Sequence, residues 1–190
     1  MFDLDATLFK TDTIFVDAVN QVCMTRGVET WERDKLIELI GKPTIDIYRI
    51  IFEDKITNEE VEIIRYEVRS IEEKLLIQSG KLYDGVVDIL VKLKKAGYTL
   101  WICTNGSDIY ANRILNTFLI VDKFSIIKSR VEALIKSQQI KQVLDETEWC
   151  SAIVVGDRIS DTEAAEDTGC LSIGVSYGYG CCVKLTLHLQ

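Results

Sequence analysis

The stretch Ser151-Ala-Ile-Val-Val-Gly-Asp-Arg-Ile-Ser-Asp161 joins a short apolar run to a pair of aspartates. The apolar residues at 151–155 predict a buried strand, and the residues that follow predict a helix over 161–167. Asp157 and Asp161 therefore lie where the strand ends and the helix begins. The same order, an apolar run followed at once by polar residues, occurs at two earlier places in the sequence.

Strands and helices alternate through the second half of the chain. Apolar runs predict three further strands, and amphipathic periodicity predicts three further helices. The strands cover 98–103, 125–127 and 171–175, and the helices cover 84–96, 108–118 and 131–144. Strands that are apolar on both faces and separated by helices indicate a parallel sheet with helices on both faces. The predicted fold class is therefore α/β, with a Rossmann-like core.

Residues 13–79 show helical periodicity and no strand pattern. Thr57-Asn58-Glu59-Glu60 begins the longest helix of this segment, with acids in the first turn, where the helix dipole stabilises negative charge. An all-helical segment placed after the first apolar run is an insertion into the α/β core. We therefore predict two domains: a core formed by 1–12 and 80–190, and a helical domain formed by 13–79.

The composition is that of a folded globular protein, since the 190 residues are 47% hydrophobic and 27% charged. The net charge of −8 argues against nucleic acid or an anionic membrane as a partner, because both are bound by clustered Lys and Arg. No apolar run approaches the roughly 20 residues that span a bilayer. Met1-Phe2-Asp3-Leu4-Asp5 has acids where a secretion signal has basic residues, so we expect a cytoplasmic protein.

The cysteines and the histidine limit the possible chemistry. The six cysteines form no Cys-x-x-Cys pair, and His188 is the single histidine, so no zinc site is predicted. Cys103 and Cys170 lie in or beside apolar runs and are expected to be buried thiols. Because histidine is so scarce, acid–base chemistry is expected from carboxylates, lysine or a metal ion.

Chemically active side chains follow three of the apolar runs, and the carboxyl ends of parallel strands meet at one edge of a sheet. These side chains, with one lysine from the helix before the Ser151–Val155 run, are Asp3, Asp5, Thr104, Lys136, Asp157 and Asp161. Crowded carboxylates resist ionising together, and Mg²⁺, which prefers oxygen ligands, removes their repulsion. Aspartate can also act as a covalent nucleophile in phosphoryl transfer. The sequence therefore predicts a metal-assisted phosphoryl-transfer site.

Four motifs, in order along the chain, resemble those of the haloacid dehalogenase (HAD) superfamily. They are Phe2-Asp3-Leu4-Asp5-Ala6-Thr7-Leu8, Trp101-Ile-Cys-Thr-Asn-Gly106, Ile135-Lys136-Ser137 and Val155-Gly-Asp-Arg-Ile-Ser-Asp-Thr162. The helical insertion falls between the first and second motifs, where the C1 cap domain of that family belongs. Within the family the chain is most similar to the phosphoglycolate phosphatase-like branch.

The resemblance implies a phosphoric monoester hydrolase with an aspartyl-phosphate intermediate. Asp3 would be the nucleophile, and Asp5 would protonate the leaving oxygen and then assist water. The phosphate-binding residues would be Thr104, Asn105, Gly106 and Lys136. The Mg²⁺ ligands would be Asp3, the main-chain carbonyl of Asp5, and Asp157, with Asp161 in support. Lys128, which lies eight residues before Lys136, is the alternative for the lysine.

The implied substrate is a small phosphorylated metabolite such as a phosphoglycolate-like ester, and the protein would be a monomer or homodimer. Two alternatives stay open: a phosphomutase, which returns the phosphoryl group to a second hydroxyl, and a catalytically weak binding module of the same superfamily. Two departures from the family pattern motivate the second: a short first strand with two residues before Asp3, and an alternating tail, 181–190, where a further strand and helix are expected. A third departure is Ala6, which stands where Gly is usual.

Overall fold

The computed structural model describes residues 1–52, 56–130, 134–149 and 152–180. The chain forms two compact units, one from Lys10–Lys81 and the other from Met1–Phe9 together with the described residues from Leu82 onward. The strand pattern expected in the tail 181–190 lies outside the described residues, and so do Cys150, Cys181, Cys182 and His188.

The Lys10–Lys81 unit is helical in its described part. Its helices are α1 (Asp12–Thr25), α2 (Arg33–Ile37), α3 (Thr44–Ile51) and α4 (Asn58–Ser79). The predicted start of α4 is confirmed, because the Thr57 hydroxyl accepts from the Glu60 amide at 3.2 Å and the Glu60 carboxylate accepts from the Thr57 amide at 2.7 Å. Across the described part of the chain, every helix is too short or too polar to cross a lipid bilayer.

The α/β unit has the predicted alternation of strands and helices. Its elements are α5 (Val86–Lys95), β1 (Trp101–Cys103), α6 (Asp108–Thr117), a short 3-10 turn (Val121–Lys123), β2 (Ile126–Lys128), α7 (Lys136–Thr147), β3 (Ile153–Gly156), α8 (Ile159–Asp167) and β4 (Leu171–Gly174). β1 begins three residues later than predicted, because the amides of Gly97 and Tyr98 bond back to the end of α5. α8 begins two residues earlier, because the Asp161 carboxylate accepts from the Arg158 amide and caps the first turn.

The predicted first strand is reduced to a short segment around Phe2, which lies between two pairs of parallel strands. β1 pairs with β2, and β3 pairs with β4. Phe2 donates to Trp101 O at 2.8 Å and accepts from Cys103 N at 2.9 Å, while Asp3 N donates to Val155 O at 2.8 Å. The strand order is therefore β2-β1-Phe2-β3-β4, and all pairings are parallel. This arrangement confirms the Rossmann-like α/β core.

The core on one side of the sheet is formed by α7 and α8 against β1 and β3. Ile140 and Val143 of α7 are fully buried, as is Ala165 of α8. Cys103 and Cys170 belong to the same cluster and are buried free thiols, as predicted. This packing fixes α7 and α8 against the strands whose ends carry the polar residues.

Ala6 adopts the left-handed conformation, with φ 60°, in a tight turn that its neighbours hold closed. The Leu4 carbonyl accepts from the amides of Leu8 and Phe9, both at 2.9 Å. We expect Ala6→Val to lower the free energy of unfolding by about 2 kcal/mol or more, because a β-branched side chain resists positive φ and the site is buried. Urea denaturation checks this.

Ala6→Gly is the matched control for that measurement. Glycine relieves the backbone strain, but it also loosens the unfolded chain and removes a buried methyl group, so we expect a change below about 1 kcal/mol. Equal destabilisation by Val and Gly would contradict a role for backbone strain at this position.

Candidate active site

Three neighbouring strand ends bring the predicted residues to one edge of the sheet. Asp3 directly follows Phe2, Thr104 directly follows β1, and Asp157 directly follows β3. Because Phe2 pairs in parallel with both β1 and β3, the chain leaves the sheet in the same direction at all three places. The polar edge is thus a direct result of the parallel topology.

A group of three carboxylates occupies this edge. Asp3, Asp157 and Asp161 each offer one oxygen, and these oxygens all lie within 4.8 Å of one another. All three residues are buried. Ionised carboxylates in such a group repel each other, and burial removes the water that would screen them, so the group favours a cation.

Lys136, the first residue of α7, supplies one cation to this group. Its Nζ donates to Asp3 Oδ1 at 2.8 Å and also bonds to Asp161 Oδ1. Lys128 is elsewhere, pairing with Glu146 at 3.3 Å. The structure therefore brings Lys136, and not Lys128, to the three carboxylates.

Burial governs the protonation of the group. It raises the pKa of Asp3 to about 7; the Lys136 ammonium opposes this rise, and the Asp161 and Asp5 carboxylates add to it. Burial lowers the pKa of Lys136, but Asp3 and Asp161 outweigh it and the net pKa is above its usual value. Burial also raises the pKa of Asp157, against the opposing hydrogen bond from the Gly180 amide. One ammonium thus does not fully balance the negative charge of the group.

The two oxygens of Asp157 have different surroundings. Oδ2 accepts from the backbone amides of Tyr179 and Gly180, each at 2.9 Å. Oδ1 is buried and has no hydrogen-bond partner in the described part of the chain. A side chain at Gly180 would overlap the backbone carbonyl of Asp157, so the close approach of these amides requires glycine. Sequence reasoning missed this support, because backbone amides carry no residue signature.

Asp5 directs its side chain elsewhere. The Tyr110 hydroxyl donates to Asp5 Oδ1 at 2.7 Å, and Asp5 is not among the three grouped carboxylates. Sequence reasoning missed Tyr110 as well. Its signal was weak, since it is one residue of an ordinary helix, three positions after the capping serine Ser107.

The segment after β1 has the geometry of a small anion cradle. Thr104 is buried, and its Oγ1 accepts from the Gly106 amide at 3.0 Å. The Ser107 hydroxyl caps α6 by accepting from the Tyr110 amide at 3.3 Å. Asn105 is exposed. A hydroxyl beside the N-terminus of a helix suits an anionic ligand, because the helix dipole favours negative charge there.

Comparisons with known proteins agree with this fold. The family model described as haloacid dehalogenase-like hydrolase matches residues 1–175. A phosphoglycolate phosphatase of Agrobacterium fabrum is 26% identical, over 94% of this chain and 80% of its own length. A 5'-nucleotidase of Pseudomonas aeruginosa is also 26% identical, over 99% of this chain and 86% of its own length.

A solved structure gives the same answer for the fold. The crystal structure of a predicted phosphoglycolate phosphatase from Haemophilus somnus superposes with a TM-score of 0.86, at 22% identity, over 97% of this chain and 87% of its own. At this identity the likeness concerns the fold. The family model, by contrast, matches most of the chain and includes all four motifs. The chain therefore belongs to the haloacid dehalogenase-like hydrolase family.

Proposed function

We propose that the protein is a Mg²⁺-dependent phosphatase that hydrolyses a small phosphorylated metabolite through an aspartyl-phosphate. The observation that carries the proposal is the buried group of Asp3, Asp157 and Asp161 with the Lys136 ammonium bonded into it. The names of the curated relatives, a phosphoglycolate phosphatase and a 5'-nucleotidase, support a phosphoric monoester as the substrate class. In this proposal 1–12 and 80–190 form the catalytic core and 13–79 forms the cap.

The residues of the edge fit Mg²⁺. The ion prefers oxygen ligands, and three carboxylates offer oxygens close together. Asp157 Oδ1 is a buried acceptor with no partner among the described residues, and a cation would satisfy it. Asp3, Asp157 and the main-chain carbonyl of Asp5 would hold the ion, with Asp161 in support. When bound, it would neutralise charge on the carboxylates and on the phosphoryl oxygens.

Asp3 is the proposed nucleophile. Its carboxylate oxygen forms a bond to phosphorus as the bond from phosphorus to the ester oxygen breaks, and the leaving oxygen takes the electron pair and a proton from Asp5. In the second half-reaction water attacks phosphorus, Asp5 accepts the proton, and the bond to Asp3 breaks. This sequence releases the alcohol, inorganic phosphate and the enzyme in its starting state.

Thr104, Asn105, Gly106 and Lys136 are the proposed phosphate-binding residues. The buried Thr104 hydroxyl and the amides at the start of α6 suit the phosphoryl oxygens as they gain charge. Lys136, already bonded to Asp3, would place its ammonium between the nucleophile and the phosphoryl group. The remaining elements of the proposal are a phosphoglycolate-like ester as substrate, a cytoplasmic location, and a monomer or homodimer.

Phosphate release from a panel of phosphate esters tests the proposal. The panel contains phosphoglycolate, sugar phosphates, nucleotides and p-nitrophenyl phosphate, each with Mg²⁺ and with EDTA. We expect release with Mg²⁺, background release with EDTA, and recovery when Mg²⁺ is added back. Calorimetry of the metal-free protein with Mg²⁺ should show binding that Asp157→Asn weakens.

Three results would give a different answer. A folded protein that releases no phosphate from any ester would overturn the phosphatase proposal and favour the weak binding module. Release that is equally fast in EDTA would overturn the Mg²⁺ requirement. Transfer of the phosphoryl group to a second hydroxyl of the product, in place of water, would identify a phosphomutase.

A further inference from the structure

We propose that Tyr110 is a positioning residue for Asp5, which sets how well Asp5 protonates the leaving oxygen; this inference rests on the proposed phosphatase function. The Tyr110 hydroxyl donates to Asp5 Oδ1 at 2.7 Å. This distance is typical of a well-formed O–H···O hydrogen bond. The contact joins the loop after Phe2 to the helix after β1, across two neighbouring strand ends.

The backbone of α6 and the absence of a side chain at Gly106 fix the position of the Tyr110 ring. Its amide donates to the Ser107 hydroxyl at 3.3 Å, which fixes its backbone in the first turn of α6. A Cβ at Gly106 would lie 2.8 Å from Tyr110 Cδ1, so the ring occupies space that any other residue at 106 would fill. Gly106 in turn donates to the Thr104 hydroxyl at 3.0 Å. Tyr110 is thus built onto the segment proposed to bind phosphate.

Asp5 is a residue whose orientation matters. A general acid works only when its proton lies within hydrogen-bond reach of the acceptor. Asp5 is partly exposed and is not one of the three grouped carboxylates. Because the Tyr110 hydroxyl donates to Oδ1, it fixes the rotation of the Asp5 carboxyl group. The hydroxyl therefore holds the side chain in one orientation relative to the first turn of α6.

The inference predicts a dependence on the leaving group. An alkoxide is strongly basic and needs a proton as it leaves, whereas p-nitrophenolate leaves readily without one. A residue that only stabilises the fold, or only binds phosphate, affects both esters alike. Loss of the Tyr110 hydroxyl should instead slow the alkyl ester far more than the nitrophenyl ester.

The test compares Tyr110→Phe with the wild type, with Mg²⁺, on p-nitrophenyl phosphate and on the alkyl phosphate that the wild type uses best. The measured quantity is kcat/KM, which reports formation of the phosphoenzyme. We expect kcat/KM to fall by about tenfold or more for the alkyl ester and by less than about threefold for the nitrophenyl ester. Tyr98→Phe, at an exposed position of the same unit, is the control and should leave both values unchanged.

Asp5→Asn is the second variant of the test. Like Tyr110→Phe, it should lower kcat/KM more for the alkyl ester than for the nitrophenyl ester, and the difference between the two esters should be larger. In the Asp5→Asn background, Tyr110→Phe should leave the ratio of the two kcat/KM values unchanged, because its effect is exerted through Asp5. Urea denaturation of Tyr110→Phe checks that the fold is retained.

Each contrary outcome has one meaning. If Tyr110→Phe lowers both kcat/KM values by the same factor, or changes neither, the positioning role is overturned while the phosphatase proposal stands. If Tyr110→Phe changes the ester ratio equally with and without the Asp5 carboxylate, its action does not pass through Asp5. If the wild type hydrolyses neither ester, both proposals fail together.

Discussion

Asp3→Asn is expected to lower phosphate release at least about a thousandfold, because an amide cannot form the phosphoaspartate bond. Asparagine has almost the same volume as aspartate, so it can occupy the same buried site. The steady-state rate is measured with saturating Mg²⁺ on the best ester of the panel. Asp145→Asn, on the exposed side of α7, removes an equal charge and should keep full activity.

A second readout separates the nucleophile from a metal ligand, since Asp3 is proposed to be both. Wild-type protein that is quenched in acid during turnover should retain phosphate covalently, and Asp3→Asn should retain none. Asp157→Asn should bind Mg²⁺ weakly yet still form the phosphoenzyme at high metal concentration. Phosphate release by Asp3→Asn within tenfold of the wild type would contradict the covalent mechanism.

Lys136→Met is expected to lower the free energy of unfolding by about 3 kcal/mol at pH 8 in EDTA. The substitution gives an uncharged, unbranched side chain that is one atom shorter, and it leaves Asp3 and Asp161 buried without their ammonium. Burial already raises the pKa of Asp3 to about 7, above its value in the unfolded chain, so its ionisation costs stability as the pH rises. The loss should therefore be smaller at pH 5, where Asp3 holds a proton.

Lys128→Met is the matched control for this measurement, because Lys128 pairs with the exposed Glu146. Such a surface pair contributes about 1 kcal/mol at most, and its loss should not depend on pH between 5 and 8. Urea denaturation of both variants gives the comparison. Equal losses, or a Lys136→Met loss that is independent of pH, would contradict the assignment of Lys136 to the carboxylate group.

The alternation of strands and helices was predictable because each element carries its own periodic pattern. Thr57 and Glu60 marked the start of α4 through side chains that bond to the backbone nearby. Four short motifs identified the family, and parallel topology then implied that the residues at the strand ends would converge. Ala6, which stands where the family usually has Gly, has positive φ in this structure, the conformation that glycine adopts most readily.

The hydrogen bonds that hold the predicted site residues in place were not predictable from the sequence. The amides of Tyr179 and Gly180 hold Asp157, but every residue except proline has such an amide. Tyr110 reaches Asp5 only because the loop after Phe2 and the first turn of α6 lie side by side. Two element bounds also differed: β1 begins later because the amides of Gly97 and Tyr98 bond back to α5, and α8 begins earlier because the Asp161 carboxylate accepts from the Arg158 amide.

Asp3, the proposed nucleophile, directly follows the short segment that joins the two halves of the sheet, and this position determines when the proposed site can form during folding. The hydrogen bond from the Met1 amino group to the Ile153 carbonyl joins residues that are 152 positions apart in the sequence. The ion pair between Lys136 and Asp3 joins residues that are 133 positions apart. Contacts this distant in sequence form late, because long loops must close before they are made. The helical unit, by contrast, is one continuous stretch of chain. A partly folded protein can thus contain its helices and the two strand pairs before the residues of the proposed site come together.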